Sequence, residues 1–171
     1  MNSEIRIYIA DLAAYNAGHI HGIWVDATED LSTIEEQITK MLENSPVQGA
    51  EEYQIHSYEG FKGYELEQYE SVKTAHHIAC FLQDQGDIAS YLLSHFNGDI
   101  EEAEAAIEDN YSGCYSSVAD FAQDLTEDTS EIPKHLEFYI DYELMGRDME
   151  LSGDIFTIES AHDTVHVFWN H

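Results

Sequence analysis

Six carboxylates fall in eleven consecutive residues: Asp99, Glu101, Glu102, Glu104, Glu108 and Asp109, with no lysine or arginine among them. Four more, Asp120, Asp124, Glu127 and Asp128, recur at helical spacing, and Glu131 follows. Side chains three or four apart share one helix face, so like charges at Glu104 and Glu108 repel and cost a few tenths of a kcal/mol. A helix selected for stability alone would alternate them with lysine. Ten helical residues rise ~15 Å, so this stretch offers one negative charge per ~2.5 Å. A DNA duplex offers one per ~1.7 Å of axis. The chemistry of such a display is anion presentation: it binds cations, or it takes the place of a polyanion in a basic channel. A solvated helix face is the plain account of any single run.

Other reactive side chains do not assemble into a known pattern. The ten histidines include His19 with His21 and the adjacent His76 and His77. Adjacent residues on a helix diverge by ~100° and cannot share one ion. The chain has no HExxH, no CxxC and no EF-hand loop. Ser116 stands in no GxSxG elbow, and glycine-rich phosphate loops are absent. The two cysteines, Cys80 and Cys114, sit among apolar or aromatic neighbours and read as buried free thiols. No catalytic residue, metal site or cofactor is expected. Six scattered bases cannot form a patch for nucleic acid.

The charge is the outlier in an otherwise ordinary composition. Of 171 residues, 43% are apolar and 12% aromatic, enough to close a core. Thirty-five acids face six bases, for a net charge of -29. Small domains usually carry roughly 2–8 net charges. Residues 1–61 hold 11 acids and 2 bases, residues 62–111 the same, and residues 112–171 hold 13 and 2. An acidic tail would load one end; here three segments share the excess. Two phosphates per base pair make the whole charge equivalent to ~15 base pairs, or ~29 in a two-fold dimer. The competing reading is a halophile-adapted or metal-dependent acidic enzyme. The segment Met1 to Arg6 lacks a leader pattern, and no apolar run reaches membrane length. A soluble cytoplasmic protein is therefore expected.

The elements that would position the carboxylates follow from periodicity. Ile5, Ile7 and Ile9 alternate as a strand, Ile23 to Val25 is a second, and Tyr53 to Tyr58 a third. Asn16 to Gly18 reads as a turn. Between the second and third strands Asp30-Leu31-Ser32 opens a helix, with Ser32 and Glu35 at capping-box spacing, that buries Ile34, Ile38, Met41 and Leu42. Helices follow from Val72 to Gln85, from Asp87 to Phe96, and from Asp99 with Ile100, Ala103, Ile107 and Tyr111 as its stripe. Val118, Phe121, Ala122 and Leu125 mark another helix. Phe138 to Glu150 reads as the last helix, after Pro133. Residues 154–158 and 164–169 read as a hairpin. The expected fold class is α+β in three small domains. These are 1–61 (a three-stranded antiparallel sheet plus helix), 62–111 (a helical bundle) and 112–171 (mixed helix and β-hairpin). The tyrosines Tyr64, Tyr69, Tyr111, Tyr115, Tyr139 and Tyr142 lie among acids and read mostly as half-buried rim residues.

The chain resembles the ArdA-type antirestriction proteins. The likeness rests on Ile7 to Gly18 with Gly22 and Trp24, on Glu51 to Glu59, and on Ile132-Pro133 followed by Tyr139 to Met149 and Gly153. It implies an elongated dimer curved like bent B-DNA, encoded on mobile elements. Its target would be the DNA-binding groove of type I restriction–modification enzymes, with restriction blocked and modification expected to be blocked alongside. Val118 to Ser130 matches the region the family associates with antirestriction. Dimer contacts are implied in the C-terminal domain, and Tyr139, Tyr142 and Met145 are their candidates. No active site, nucleic-acid binding or membrane association is implied.

Overall fold

The computed structural model describes residues 4–170. Residues 1–3, part of the segment read for a leader, and 171 lie outside them. Backbone contacts divide the chain into two units, Met1–Ser94 and His95–His171.

In the first unit, strand β1 (Arg6–Asp11) runs between β2 (Gly22–Asp26) and β3 (Tyr53–Glu59), antiparallel to both. The period-two pattern sets the faces. Ile7 pairs with Val25 and Ile9 with Ile23 and Ile55, on the side that closes the core. Arg6 and Tyr8 take the other face, where Tyr8 meets Trp24 at 5.4 Å and Arg6 lies 5.2 Å over the same indole. Helix α2 (Leu31–Glu43) buries Ile34, Ile38 and Met41 against β1 and β2. Two local expectations change. The helix opens within Asp30-Leu31-Ser32 as expected, but Ser32 lies inside its first turn and cannot form the capping box with Glu35; Asp30 takes the cap position. The turn expected over Asn16 to Gly18 is present at Ala17 and Gly18, but Asn16 ends a short helix α1 (Leu12–Asn16), at whose start Asp11 accepts a hydrogen bond from the Ala14 amide at 3.1 Å.

Helix α3 (Val72–Gln85) begins at Ser71, whose hydroxyl accepts from the Thr74 amide, and stops at Gly86 with φ 70°, where the left-handed turn favours glycine. Helix α4 (Asp87–His95) starts at once.

The second unit opens with α5 (Ile100–Ala105), capped by Asp99 accepting from the Glu102 amide at 3.1 Å. The expected single helix to Tyr111 does not persist. A π-helical turn spans Ala106–Asn110, and Tyr111 begins strand β4 (Tyr111–Tyr115). β4 joins β6 (Thr164–Trp169) and β5 (Ile155–Ala161) in the order β4-β6-β5. The hairpin is legible from its β-branched and aromatic residues. β4 is not, because Ser112 and Gly113 interrupt any alternation and Gly113 sits at φ 141° beside a register shift. Cys114 on this edge strand is exposed and Cys80 half-buried, so neither is the buried thiol expected.

One face of this sheet packs on α6 (Val118–Thr129) and α7 (Tyr142–Leu151). Phe121, Ile155, Val165 and Val167 are its centre, with Leu125, Met149 and Trp169 around them. Each large buried side chain contributes roughly 1.5–3 kcal/mol. The opposite face stacks Phe156 on Phe168 at 4.8 Å and His95 on Phe156 at 4.1 Å. The expected helix from Phe138 to Glu150 is broken. A 3-10 helix covers Lys134–Tyr139, Ile140 is extended, and Asp141 caps α7 through the Leu144 amide.

Helices α6 and α7 meet at Gly146, where an added Cβ would stand 2.8 Å from Val118 Cγ1. Gly146→Leu should lower stability by about 1–3 kcal/mol through overpacking, read as a lower urea midpoint with an unchanged slope. Asp11 is fully buried. Burial pushes its carboxyl up, but Ser45, the Ala14 amide, the His21 charge and the Ala13 amide together hold it below its ordinary 3.8. A carboxyl depressed by folding stabilises above its unfolded value and loses that contribution as pH falls through the folded one. The stability gap between wild type and Asp11→Ala, roughly 1–2 kcal/mol at pH 7 for a lost cap, should therefore shrink in denaturant titrations taken below pH 3.8.

Candidate functional site

The second unit carries nineteen acids against two bases, Lys134 and Arg147, for a net charge of -17. Eighteen of those acids are exposed; Glu104 is half-buried. The first unit holds sixteen acids and four bases, net -12, and two of its bases are paired: Arg6 with Glu59, and Lys40 with Glu36 at 3.5 Å. Between Lys73 and Lys134 the sequence has no lysine or arginine at all. The acidic display is therefore densest where the chain has fewest cations to neutralise it.

Each candidate carboxylate can be placed. Asp99 caps α5, Glu101 and Glu102 occupy its first turn, and Glu104 follows in the same helix. Acids at a helix start interact favourably with the macrodipole, which explains how α5 tolerates them. Glu108 and Asp109 sit in the π-helical turn, so they leave the straight α-helical row expected from the sequence. Asp120, Asp124, Glu127 and Asp128 all project from α6 while Phe121 and Ala122 are buried, as the amphipathic period requires. Ser117 caps that helix by accepting from the Asp120 amide at 3.2 Å. Gln123 donates to Glu127 at 3.0 Å, which orients that carboxylate. Glu131 lies exposed beyond the helix end.

Tyr142 and Met145, two of the three interface candidates, line different depressions, and Tyr139 lines neither of these two. Tyr139 is 84% exposed at the end of the 3-10 helix. Tyr142 is half-buried in a cleft of about 530 Å³ with Glu127, Glu131, Ile132, Glu137 and Phe138. Met145 lies in a different depression, of about 480 Å³, with Ile140, Leu144 and Met149, and its sulfur accepts from the Thr126 hydroxyl at 3.2 Å. Among the other tyrosines, Tyr64 is buried and Tyr69 is 77% exposed, so the half-buried expectation fails at both. The residue pattern implies neither the cleft nor the exposure of Phe138, because a continuous helix from Phe138 would give that residue no special place. Pro133 ahead of Leu136, Phe138 and Tyr139 was the available signal.

Titratable groups buried in each unit feel their surroundings. Burial, then Glu67, raises the Glu70 carboxyl; burial, Glu70 and Glu67 raise the Tyr64 phenol. Burial lowers the His166 imidazole, which lies 2.8 Å from the Tyr111 hydroxyl and 3.2 Å from Ser160 Oγ. A neutral ring suits these two hydroxyl partners. Among the described residues, no group of three or more His, Cys, Asp and Glu side chains is disposed to hold a metal ion. No described helix is long and apolar enough to cross a membrane.

Residues 7–164 match the sequence family described as antirestriction protein (ArdA). The chain belongs to the ArdA antirestriction protein family. No curated protein sequence matches it. As an ArdA protein it is an antirestriction factor, a class that acts against restriction enzymes, and the matched span contains every carboxylate placed above.

Unneutralised carboxylates on this ArdA surface repel one another, and salt screens that repulsion, with a Debye length falling from ~30 Å at 0.01 M to ~10 Å at 0.1 M. The melting temperature should rise between 10 and about 200 mM sodium chloride. A flat or falling curve by calorimetry would show that the acids are neutralised within the fold.

Proposed function

We propose that this ArdA protein blocks type I restriction–modification enzymes by presenting carboxylates where their DNA-binding groove expects phosphates. The observation that carries this reading is the exposure of eighteen of nineteen acids on a unit with two bases. A basic groove gains by taking such a surface for the reason it gains by binding duplex: condensed ions are displaced and opposite charges meet. Long-range attraction raises the encounter rate by orders of magnitude. The three segments 1–61, 62–111 and 112–171 would then act as consecutive acidic bodies along the groove. Self-association through the side of α7 bearing Leu144 and Met145, together with Tyr139, would double the display to a duplex equivalent of ~29 base pairs. The site of action is the cytoplasm, where incoming DNA carrying such a gene would meet the enzyme.

Competition measures this directly. Purified protein should displace a cognate duplex from a type I methyltransferase at moderate salt, with affinity dropping steeply as salt rises. Replacing Asp120, Asp124 and Glu127 together by lysine should weaken displacement by roughly tenfold or more, since three exposed charge contacts together are worth about 1–3 kcal/mol and reversal adds repulsion. These side chains are exposed, so circular dichroism should be unchanged. Wild-type displacement by the folded triple variant would remove the mechanism.

A further inference from the structure

The cleft between the end of α6 and the 3-10 helix has features a phosphate backbone lacks. Its apolar side is Ile132, Phe138 and Tyr142, and its rim is Glu127, Glu131 and Glu137. Phe138 is 93% exposed, although aromatic side chains are favoured inside proteins. The 3-10 helix that carries it has no buried residue. An exposed ring and three carboxylates around about 530 Å³ of open space complement one side chain in both shape and charge. A guanidinium is planar, stacks on aromatic faces, sheds water more readily than an ammonium, and binds carboxylates through a rigid fork of donors. Lysine would satisfy the charge and can approach the ring, but its strongly hydrated, non-planar ammonium cannot stack flat on it or fork to a carboxylate.

We infer that this cleft seats an arginine side chain of the partner protein, stacked against Phe138 and Tyr142 and held at its edge by Glu127 or Glu131. In naming the partner as the restriction enzyme's DNA-binding subunit, the assignment rests on the DNA-mimic reading. The cleft then supplies what pure charge mimicry does not: a contact that survives screening, and a preference for arginine over lysine. Gln123, by orienting Glu127, is a positioning residue for it.

The test separates the site from the partner. Hexa-arginine and hexa-lysine peptides carry equal charge, and their binding is followed by calorimetry and by the ring signals of Phe138 and Tyr142. Hexa-arginine should bind roughly three- to tenfold more tightly. Phe138→Ala should abolish that preference, while Tyr142→Phe, which keeps the ring, should retain it. Equal affinity for the two peptides, or a preference untouched by Phe138→Ala, overturns the assignment. So does a change in oligomeric state on Phe138→Ala by light scattering, which would mean that a second copy covers the cleft. With a type I methyltransferase, Phe138→Ala should lower affinity by a similar factor without altering the salt slope. A peptide preference combined with no methyltransferase binding by the wild type would leave the arginine site standing and defeat the DNA-mimic reading.

Discussion

Mutual repulsion among carboxylates is the constraint on which this structure depends. Every exposed acid adds to a field that favours expansion, and the second unit has two bases to oppose nineteen acids. The main force that opposes it is not electrostatic. It is the packing of Phe121 and its neighbours against the β4-β6-β5 sheet, the near contact of α6 with α7 at Gly146, and the stacked rings on the far side of the sheet. Apolar packing is indifferent to charge sign, so it can hold anions at spacings that charge pairing alone would not permit.

Helix capping gives a second, local compensation. Asp99, Ser117 and Asp141 each accept a backbone amide bond at a helix start, and Asp120 and Glu143 fall in the first turns that follow. There the partial positive charge of the helix end offsets part of the repulsion. A chain so rich in acids therefore spends some of them where the backbone welcomes negative charge. Asp124, Glu127 and Asp128, on the middle and last turns of α6, have no such support and stand exposed.

The aromatic residues divide the labour differently. Phe156, Phe168 and Phe121 close the core of the second unit, while Phe138 and Tyr139 stand outside it on a short helix that buries nothing. Duplex DNA offers phosphates along its edge and keeps its rings stacked inside. A protein that keeps rings beside its anions offers more grip per charge, because stacking persists when salt screens the field.

Composition and periodicity alone determined the sheet of β2-β1-β3 with α2, the hairpin of β5 and β6, the start of α5 at Asp99, and the outward turn of the α6 acids. In each the information is local: alternation of Ile7 and Ile9, a capping side chain, or an apolar stripe such as Phe121 and Ala122. Family membership was likewise legible, in the run from Ile7 to Gly18 and in the Ile132-Pro133 and Tyr139 to Met149 segments. Tertiary structure decided the rest. β4 exists because β6 offers its edge to Tyr111–Tyr115, a partner 50 or so residues away that no window around Gly113 contains. The π-helical turn at Ala106–Asn110 is where the helix gives way to that strand. The break at Ile140 separates the 3-10 helix from α7, and the cleft is lined by residues of both and of the end of α6. Which acids a chain carries is written in its sequence; which of them share a cleft with Phe138 depends on how the end of α6, the 3-10 helix and the start of α7 pack on one another.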